Sequence, residues 1–324
     1  MVFNTDIISS GVMRFKNTLH NWLYRNKKVL LIVGPTASGK SSLAITIAQK
    51  YNGEIISCDS RQIYQGLEIF SGAVTPETSG GVTHHLVSHV PPGDIYSSDR
   101  FVQESLSIIK RLHKQNKLPI VVGGTGFWAQ TLLFEQQYPA VSPDYPLRET
   151  LEKHTTEELF NMLHKQDPRR ATLADPHNKK RLIRALEIIH TMGHVPPTRD
   201  VSRRGYSFRI AYLQPEKELL DARITNNVSQ RMRQGLLKES KQALLHVSRK
   251  QIEELGLGFK NLFDLNRGEI TETEFAQLMV REEIRYAKRQ KTFFKKLYWK
   301  FHGKKVLIHD IDPEKRMRKI SSLL

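Results

Sequence analysis

Eight consecutive residues have the types and the spacing of a phosphate-binding loop. They are Gly34, Pro35, Thr36, Ala37, Ser38, Gly39, Lys40 and Ser41, the pattern Gly-x-x-x-x-Gly-Lys-Ser. The glycines let successive backbone N–H groups turn toward one anion, Lys40 adds a point charge, and the Ser41 hydroxyl can ligate Mg²⁺. The pattern therefore predicts a polyphosphate site with Mg²⁺ as its cofactor.

The residues on either side of the loop support this interpretation. An apolar run, residues 29–33, precedes it and is typical of a buried strand. The helix expected after it carries Leu43, Ile47 and Ala48 on one stripe. This strand–loop–helix order favours phosphate binding over the alternative, a glycine-rich turn without a ligand.

A carboxylate follows the next apolar segment. Residues 54–59 indicate a second buried strand that ends in Asp59, and a polar loop, residues 60–64, comes after it. Open α/β sheets bind their ligands at this carboxyl end of the strands. Asp59 is thus a candidate general base or hydrogen-bond acceptor facing the phosphate site, and the alternative is a turn or helix-capping aspartate.

The third predicted strand, residues 118–122, is not followed by an acidic residue. The chain continues with Gly123, Gly124, Thr125 and Gly126. NTP-hydrolysing motors and switches place an aspartate at the end of a later strand, where it helps to hold Mg²⁺. The missing acidic residue argues against those classes of protein.

Three histidines, His84, His85 and His89, lie close together in a segment expected to be a loop. Their grouping resembles a metal cluster, but the sequence offers no nearby cysteine or carboxylate to complete it. We therefore favour structural or substrate-side polar contacts over a zinc site.

The chain is strongly basic, with 50 Lys and Arg against 33 Asp and Glu, a formal net charge of +17. A phosphate site accounts for only a few of these charges, whereas a nucleic-acid partner accounts for many. Residues 179–184 and 286–296 are helical segments rich in cations, and the second also carries aromatics. Such runs are typical of solvated helix faces or of contacts to phosphates and bases.

Strand and helix segments alternate over residues 29–135, which predicts a parallel, doubly wound sheet. The expected fold class is α/β: a P-loop-containing parallel-sheet core, 28–135 and 204–324, with a mostly helical insertion domain, 136–203, and an N-terminal extension, 1–27. A further helix is predicted over 101–115, further helical segments over 146–192, 215–247 and 272–300, and further strands over 206–213 and 306–308.

The composition is typical of a cytoplasmic protein. No apolar run approaches the roughly 18 residues of a membrane span, and the N-terminal stretch is too interrupted for a secretory signal. A single cysteine, Cys58, has no partner for an intrachain disulfide and argues against a cysteine-based zinc site. We therefore expect a cytoplasmic location and no membrane partner.

Six segments of the chain, in the same order, resemble the tRNA dimethylallyltransferase (tRNA isopentenyltransferase) family. They are residues 34–41, 59–64, 84–86, 122–126, 181–187 and 286–290. The resemblance extends over about residues 28–300. One such segment is modest evidence, whereas six in order are strong evidence for the family.

The resemblance implies transfer of a dimethylallyl group from dimethylallyl diphosphate to N6 of the adenosine on the 3′ side of the tRNA anticodon. In that case the phosphate loop holds the diphosphate with Mg²⁺ on Ser41, Asp59 takes the amine proton, and Thr125 hydrogen-bonds near the reacting centre. The adenosine must leave the anticodon-loop stack to reach this site. The implied tRNA-binding residues are Asp59, Ser60, Arg61, Gln62, Arg148, Lys180, Arg181, Leu182, Ile183, Arg184, Lys288 and Arg289. The expected partners are the tRNA anticodon stem-loop and the prenyl donor, not DNA, and the expected state is a monomer.

Three positions differ from the family pattern. Asn227 stands where members have a second arginine, Ala73 where they have a lysine, and Lys179 where they have an aspartate. Asn227 matters most, because a neutral amide cannot replace a guanidinium on phosphate. Neighbouring Arg231 or Arg233 is a candidate substitute.

These departures leave other functions open. One is a degenerate relative that binds tRNA without catalysis. Another is a transferase that acts on a free adenine nucleotide, against which the helical insertion and residues 286–290 argue. A third is a P-loop nucleotide kinase, which the missing acidic residue after the third predicted strand and the large positive charge disfavour.

Overall fold

The structure, a computed structural model, describes residues 27–92, 94, 96–136, 141–196, 200–245, 259–309 and 312–324. The predicted N-terminal extension, 1–27, lies outside these ranges except for its last residue, and residues 246–247 of a predicted helix lie outside them too. The chain divides into two compact units, one running to Leu133 and resuming at Arg203, the other Phe134–Ser202.

Eight strands are present in the described ranges. They are β1 (Lys28–Val33), β2 (Gly53–Ser57), β3 (His84–His85), β4 (Leu118–Gly123), β5 (Phe134–Gln136), β6 (Asp200–Ser202), β7 (Ser207–Leu213) and β8 (Lys305–Ile308). All but β5 and β6 form one sheet in the order β3-β2-β4-β1-β7-β8, in which every pairing is parallel. The predicted α/β class with a parallel-sheet core is confirmed.

The register of this sheet brings three loops to one edge. Leu31 of β1 and Ile56 of β2 both pair with Val121 of β4, which lies between them. Because the three strands run in the same direction, the loops after β1, β2 and β4 leave the sheet together. The phosphate loop, Asp59 and Thr125 therefore lie at the same carboxyl edge.

Thirteen helices surround or extend these strands within the described ranges. They are α1 (Lys40–Lys50), α2 (Glu68–Ser71), α3 (Ser98–Lys114), α4 (Gly126–Leu133), α5 (Tyr145–Glu152), α6 (Thr156–Gln166), α7 (Pro168–Ala171), α8 (Lys179–Met192), α9 (Lys217–Arg233), α10 (Leu236–Leu244), α11 (Phe259–Asn266), α12 (Glu272–Lys300) and α13 (Pro313–Ser321). None of them is long and apolar enough to cross a membrane.

Helix α1 is held on the sheet by its apolar stripe. Its residues Leu43 and Ile47 pack in one buried cluster with Ile32 of β1 and Ile120 of β4. Ile320 of α13 belongs to the same cluster. Burial of this stripe fixes the start of α1, and hence the phosphate loop, relative to the strand ends.

Helix α12 begins with a capping box, in which Thr271 Oγ1 accepts from the Glu274 N–H at 3.2 Å and Glu274 Oε2 accepts from the Thr271 N–H at 2.7 Å. Its buried positions recur every three or four residues and so form one face. They include Phe275, Met279, Glu283, Ala287, Gln290, Phe294 and Leu297.

The second unit has its own apolar core. Helices α5 to α8 bury Leu151, Leu159, Leu163, Leu182 and Leu186 together. Strands β5 and β6, which the sequence did not predict, pair antiparallel. The unit begins two residues before the predicted insertion, 136–203, and ends one residue before it does; residues 137–140 and 197–199 of that insertion lie outside the described ranges.

One predicted element needs correction. His84 and His85 form the edge strand β3 rather than part of a loop, because their backbones pair with Ile55 and Ile56 of β2. The predicted helical segment 146–192 consists of four helices, α5 to α8. The described part of the predicted helical segment 215–247 consists of α9 and α10, which are separated at Gly235, whose φ of 100° is left-handed.

Candidate active site

A cavity of about 1000 Å³ opens at the carboxyl edge of the sheet. The phosphate-loop residues that line it are Thr36, Ala37, Gly39, Lys40 and Ser41. Asp59 lines it from the loop after β2, and Tyr286 and Gln290 line it from α12. The structure thus brings the predicted phosphate loop and the predicted carboxylate to one cavity.

The phosphate loop is shaped by short contacts within itself. Gly39 has a left-handed φ of 84°, and α1 begins at the next residue. Lys40 Nζ donates to the carbonyl of Pro35 at 2.6 Å and lies 3.5 Å from Ser38 Oγ. The first turn of α1 contains no acidic residue, so its N–H groups and Lys40 present positive potential. The other three residues of the loop, Gly34, Pro35 and Ser38, are buried.

Lys40 lies in surroundings that disfavour its own charge. Burial lowers the pKa of Lys40 from 10.5 to about 8, and the negative charge of Asp59 opposes this shift. A diphosphate bound beside Lys40 would supply further negative charge and stabilise the protonated ammonium.

Asp59 combines a turn contact with exposure to the cavity. Its Oδ1 accepts from the Arg61 N–H at 3.1 Å, the hydrogen bond of an Asx turn. Its Oδ2 faces the loop after β4, since a Cβ placed on Gly124 would lie 3.5 Å from it. The turn interpretation therefore holds for one carboxylate oxygen, and the other lies toward the loop that carries Thr125.

Thr125 fastens the loop after β4 to the loop after β2. Its Oγ1 accepts from the Ser60 N–H at 2.9 Å and donates to Ser60 Oγ at 3.2 Å, while its own N–H donates to the carbonyl of Cys58 at 3.1 Å. Thr125 and Ser60 thus hold Asp59, which lies between Cys58 and Ser60, in a fixed position at the strand end.

Gln290 joins the phosphate loop to the same assembly, although its chemistry was not anticipated from the sequence. Its Oε1 accepts from the Thr36 N–H and its Nε2 donates to the carbonyl of Gly124, each at 2.8 Å. The side chain is only 4% exposed. A glycine at position 124 leaves room for the Gln290 amide, because a Cβ there would lie 2.2 Å from Gln290 Nε2. The signal in the sequence was the position of residue 290 on the buried stripe of α12.

Replacing Gln290 by leucine should destabilise the protein. The change leaves the buried Gly124 carbonyl and the partly buried Thr36 N–H without their partner, which costs about 2 kcal/mol of the free energy of unfolding. The matched control is Gln277→Leu, an exposed glutamine of the same helix. Denaturant unfolding measures both variants, and equal stabilities would contradict the bridging role of Gln290.

Two arginines approach the ring of Tyr286. The guanidinium of Arg61 is 4.2 Å from the centre of its ring, and that of Arg289 is 5.7 Å from it. Burial, together with the negative charge of Asp59, raises the pKa of Tyr286, so the phenol stays protonated. Arg61 and Arg289, both predicted to bind tRNA, therefore meet at one aromatic surface near Asp59.

The other residues of the first unit that are predicted to bind tRNA differ in their contacts within the protein. Gln62 Nε2 donates to the carbonyl of Gly72 at 3.1 Å, and Gln62 Oε1 accepts from Ser57 Oγ at 3.2 Å. Lys288 and Arg289 are exposed on α12.

In the second unit, a buried carboxylate holds two of the predicted arginines. Glu187 is fully buried, and Arg148 donates to its two oxygens at 2.8 and 2.9 Å while Arg184 pairs with Oε2. Burial alone would raise the pKa of Glu187, but hydrogen bonds from Arg148 and Arg184 outweigh it, so the pKa is lowered. Both arginines keep about a third of their side chains exposed, which leaves part of each available.

Two residues predicted to contact tRNA, Leu182 and Ile183, have buried side chains. Leu182 is 0% and Ile183 is 4% exposed, and both pack in the apolar core of the second unit. Their side chains support the helix rather than reach a partner. Lys180 and Arg181, on the same helix, are exposed and available to RNA phosphates.

Two of the three departures from the family pattern, Asn227 and Ala73, line the cavity. The third, Lys179, lies in the second unit, where its Nζ donates to the carbonyl of Glu152 at 2.6 Å. Arg231, one candidate substitute, forms a buried pair with Glu283 and donates to the carbonyl of Phe70 at 2.7 Å. This pairing neutralises much of the charge that Arg231 brings to the cavity.

The histidines near β3 take part in separate polar contacts. His85 Nε2 lies 2.6 Å from Glu54, and His89 Nε2 lies 3.4 Å from Glu104. His84 Nδ1 lies 2.9 Å from the carbonyl of Val82. Nowhere in the described ranges do three or more His, Cys, Asp or Glu side chains gather as a metal site. The arrangement places His85 and His89 in ion-pair geometry with different carboxylates.

Comparisons with known proteins identify one family. The model of the IPP transferase family matches residues 62–297. The tRNA dimethylallyltransferase of Anoxybacillus flavithermus is 35% identical to the chain over 272 residues, which are 83% of this chain and 88% of that protein.

Two solved structures share the fold. The full-length tRNA isopentenylpyrophosphate transferase from Bacillus halodurans is 31% identical, with a TM-score of 0.66 over 91% of this chain and 95% of that one. A eukaryotic dimethylallyltransferase acting on tRNA is 28% identical, with a TM-score of 0.76 over 91% of this chain and 77% of that one. The family model matches most of the chain, and a relative is 35% identical over 83% of it. The chain therefore belongs to the IPP transferase family.

Proposed function

We propose that this protein transfers a dimethylallyl group from dimethylallyl diphosphate to N6 of the adenosine on the 3′ side of the tRNA anticodon. One observation carries the proposal: Lys40 of the phosphate loop and the carboxylate Asp59 line the same cavity, close enough for the charge of Asp59 to act on the pKa of Lys40. A diphosphate and a proton-donating nucleophile therefore have sites side by side.

The phosphate loop binds the donor. Lys40 and the N–H groups at the start of α1 neutralise the diphosphate and stabilise the charge that grows on it as it departs. Exposed Ser41 lines the cavity and supplies a hydroxyl, the ligand that Mg²⁺ takes together with phosphate oxygens and water. When bound, Mg²⁺ adds further charge stabilisation to the leaving pyrophosphate.

Asp59 acts on the nucleophile. The N6 lone pair forms the new C–N bond while the C–O bond to the diphosphate breaks, and pyrophosphate leaves with that electron pair. The adenine amine has its lone pair delocalised into the ring, so it needs a base to accept its proton as the bond forms. Asp59 is that base, and the hydrogen bonds among Thr125, Ser60 and Cys58 hold it in place.

Exposed cations bind the RNA. Arg61 and Arg289 flank the ring of Tyr286 near Asp59, an arrangement suited to a base that leaves the anticodon-loop stack and to its phosphates. Lys288 on α12, and Lys180 and Arg181 of the second unit, are exposed cations that contact RNA phosphates.

The pKa of Lys40 makes donor binding depend on pH. In the free protein Lys40 loses its proton above about pH 8, and only the protonated form attracts the diphosphate. The affinity for dimethylallyl diphosphate should therefore be constant below that pH and weaken as pH rises through it, by up to about tenfold per pH unit. Calorimetric titrations at several pH values measure this, and Lys40→Arg, which stays protonated, should remove the dependence. The same pH profile in both proteins would contradict the role of Lys40.

The substrate assignment is tested with two RNA hairpins. One is an anticodon stem-loop with adenosine 3′ to the anticodon, and the other is identical except for guanosine at that position. Mass spectrometry of the digested product should find a dimethylallyl adduct on adenosine in the first RNA and none in the second. Equal modification of both RNAs, or modification of free adenine nucleotide alone, would contradict the proposal. Tight binding of the first hairpin without any adduct would point to a degenerate tRNA-binding relative.

A further inference from the structure

One wall of the cavity is a short segment, residues 68–75, here called the wall segment. Residues 68–69 and 71–75 line the cavity. Within this segment only α2 is helical, and it is one turn long. A single turn leaves most of its N–H and C=O groups without partners inside the helix. The position of the wall segment therefore depends on groups from elsewhere in the chain.

A distant carboxylate binds the N–H groups at the start of α2. The N-cap residue is Leu67, whose side chain cannot accept a hydrogen bond. Glu239 of α10 takes this role, since its Oε1 accepts from the Ile69 N–H at 2.7 Å and its Oε2 accepts from the Phe70 N–H at 2.6 Å. A charged acceptor makes such hydrogen bonds stronger, and a negative charge is favourable at a helix start. Glu239 thus caps α2 from about 170 positions later in the chain.

Burial opposes the charge of this carboxylate. It raises the pKa of Glu239, and the negative charge of Glu68 acts in the same direction, whereas the N–H groups of Ile69 and Phe70 lower it. Because the pKa remains raised, these hydrogen bonds offset only part of the cost of burying the charge. Glu239 therefore contributes more to the geometry of the wall segment than to the stability of the fold.

An arginine binds the carbonyl side of α2. Arg231, in the last turn of α9, donates from Nη1 to the carbonyl of Phe70 at 2.7 Å. Its Nη2 pairs with Glu283 of α12, which fixes the guanidinium. The ring of Phe70 packs in one buried cluster with Val228 of α9 and Leu236 of α10. Side chains of neighbouring helices thus hold both the N–H groups and a carbonyl of α2.

The wall segment is joined to a side chain beside the candidate base. The carbonyl of Gly72, directly after α2, accepts from Gln62 Nε2 at 3.1 Å, and Gln62 Oε1 accepts from Ser57 Oγ at 3.2 Å. These two contacts set the orientation of the Gln62 amide. Gln62 lines the same cavity as Asp59, three positions before it in the chain. A displacement of α2 therefore displaces the Gln62 amide next to Asp59.

We propose that Glu239 is a positioning residue: by capping α2 it fixes the Gly72 carbonyl and, through it, the Gln62 amide that meets the acceptor adenosine beside Asp59. This assignment rests on the proposed function for the identity of the acceptor. After its two contacts the Gln62 amide retains one N–H and one lone pair, the two groups that a glutamine offers to adenine. Loss of the cap should leave both substrates bound but less often aligned for reaction, because reaction depends on orientation more steeply than binding does.

The test is a double-mutant cycle on the single-turnover rate of prenyl transfer, measured in the full chain with both substrates saturating. Glu239→Gln should lower this rate about tenfold, because the amide oxygen accepts from one N–H while the NH₂ group opposes the other. The affinities for tRNA and for pyrophosphate with Mg²⁺ should stay within about twofold of those of the unmodified chain.

The second background of the cycle is Gln62→Ala, which has already lost the amide. There the substitution Glu239→Gln should change the rate by less than about twofold, because the two residues act through one contact chain. Equal effects of Glu239→Gln in both backgrounds would make Glu239 a structural residue only and overturn the assignment. So would an unchanged rate in the single variant.

Glu218→Gln is the matched control, since Glu218 is an exposed glutamate in the first turn of α9, and it should leave the rate unchanged. If Glu239→Gln does not fold, Glu239→Asp decides in the same cycle. That variant keeps the charge but is too short to reach both N–H groups. A lower rate that vanishes in the Gln62→Ala background supports the assignment, and an unchanged rate overturns it.

Amide hydrogen exchange separates this assignment from the proposed function. The Ile69 and Phe70 amides should exchange about tenfold faster in Glu239→Gln, whether or not the chain transfers a prenyl group. Unchanged exchange would overturn the assignment. Faster exchange in a chain that transfers no prenyl group would uphold the cap of α2 and contradict the proposed function. Prenyl transfer at an unchanged rate in Glu239→Gln would uphold the proposed function and overturn the positioning role.

Discussion

Asp59→Asn should abolish most prenyl transfer, with a fall in the single-turnover rate of about 10²- to 10⁴-fold, the contribution of a positioned general base. The asparagine amide cannot take the N6 proton. Its oxygen can still accept the hydrogen bond that the Arg61 N–H donates to Asp59 Oδ1 at 3.1 Å. The turn should therefore persist. Affinities for dimethylallyl diphosphate and for tRNA should stay within a few fold of those of the unmodified chain.

The binding measurements are the control for this variant. A tenfold or greater loss of tRNA affinity with a modest loss of rate would make Asp59 an RNA-binding residue instead of a base. A single-turnover rate close to that of the unmodified chain would rule out both the base and the mechanism built on it.

Lys40→Met should lower kcat/KM for the donor by about 10²-fold or more, because a preorganised charge on the leaving group is lost. The substitution removes the hydrogen bond from Lys40 to the Pro35 carbonyl, but it also removes a charge that burial disfavours, as the lowered pKa of Lys40, about 8, indicates. We therefore expect the variant to remain folded. Steady-state kinetics with the donor varied and tRNA saturating measures the effect.

Lys50→Met is the matched control for Lys40. Lys50 lies at the other end of α1, is exposed, and contacts the ring of Tyr51 rather than the cavity. Lys50→Met should leave kcat/KM for the donor unchanged. Equal effects of the two substitutions, or unchanged donor kinetics in Lys40→Met, would remove the phosphate loop from donor binding.

The central strands and the place of the two loops were predictable from the sequence because the signals are local. The apolar run before Gly34 is β1, and the segment that ends at Asp59 contains β2. A parallel sheet then requires both loops to lie at its carboxyl edge. Strand β3 escaped prediction because two residues at a sheet edge have no periodicity, and only their pairing with β2 defines them.

Contacts between distant segments could not be predicted from the sequence. Gln290 stands 254 positions after Thr36, and its neighbours Arg289 and Lys291 are cations, so the segment read as a basic face. The helical spacing from Glu283 and Ala287 to residue 290 does indicate burial, but burial alone does not name the two backbone groups that the amide joins.

The same spacing accounts for the burial of Leu182 and Ile183, which the sequence analysis assigned to tRNA contacts. Both stand between cations, and the resemblance to the family extends over them as one segment. In α8, however, Leu182 and Ile183 recur with Leu186 and Ile189 at helical intervals, which is the pattern of a core face. Apolar residues inside a basic helix are more simply assigned to packing than to RNA.

The central claim is that a prenyl diphosphate and a tRNA adenosine react in the cavity that Lys40 and Asp59 share. Its most direct test is incubation of the purified chain with tRNA, Mg²⁺ and dimethylallyl diphosphate labelled in the prenyl group, with both label in tRNA and released pyrophosphate counted. We expect the two to appear in equal amounts, and neither to appear at that rate with Asp59→Asn. Pyrophosphate released without label in tRNA, or no turnover of the donor by a chain that binds both substrates, would contradict the account.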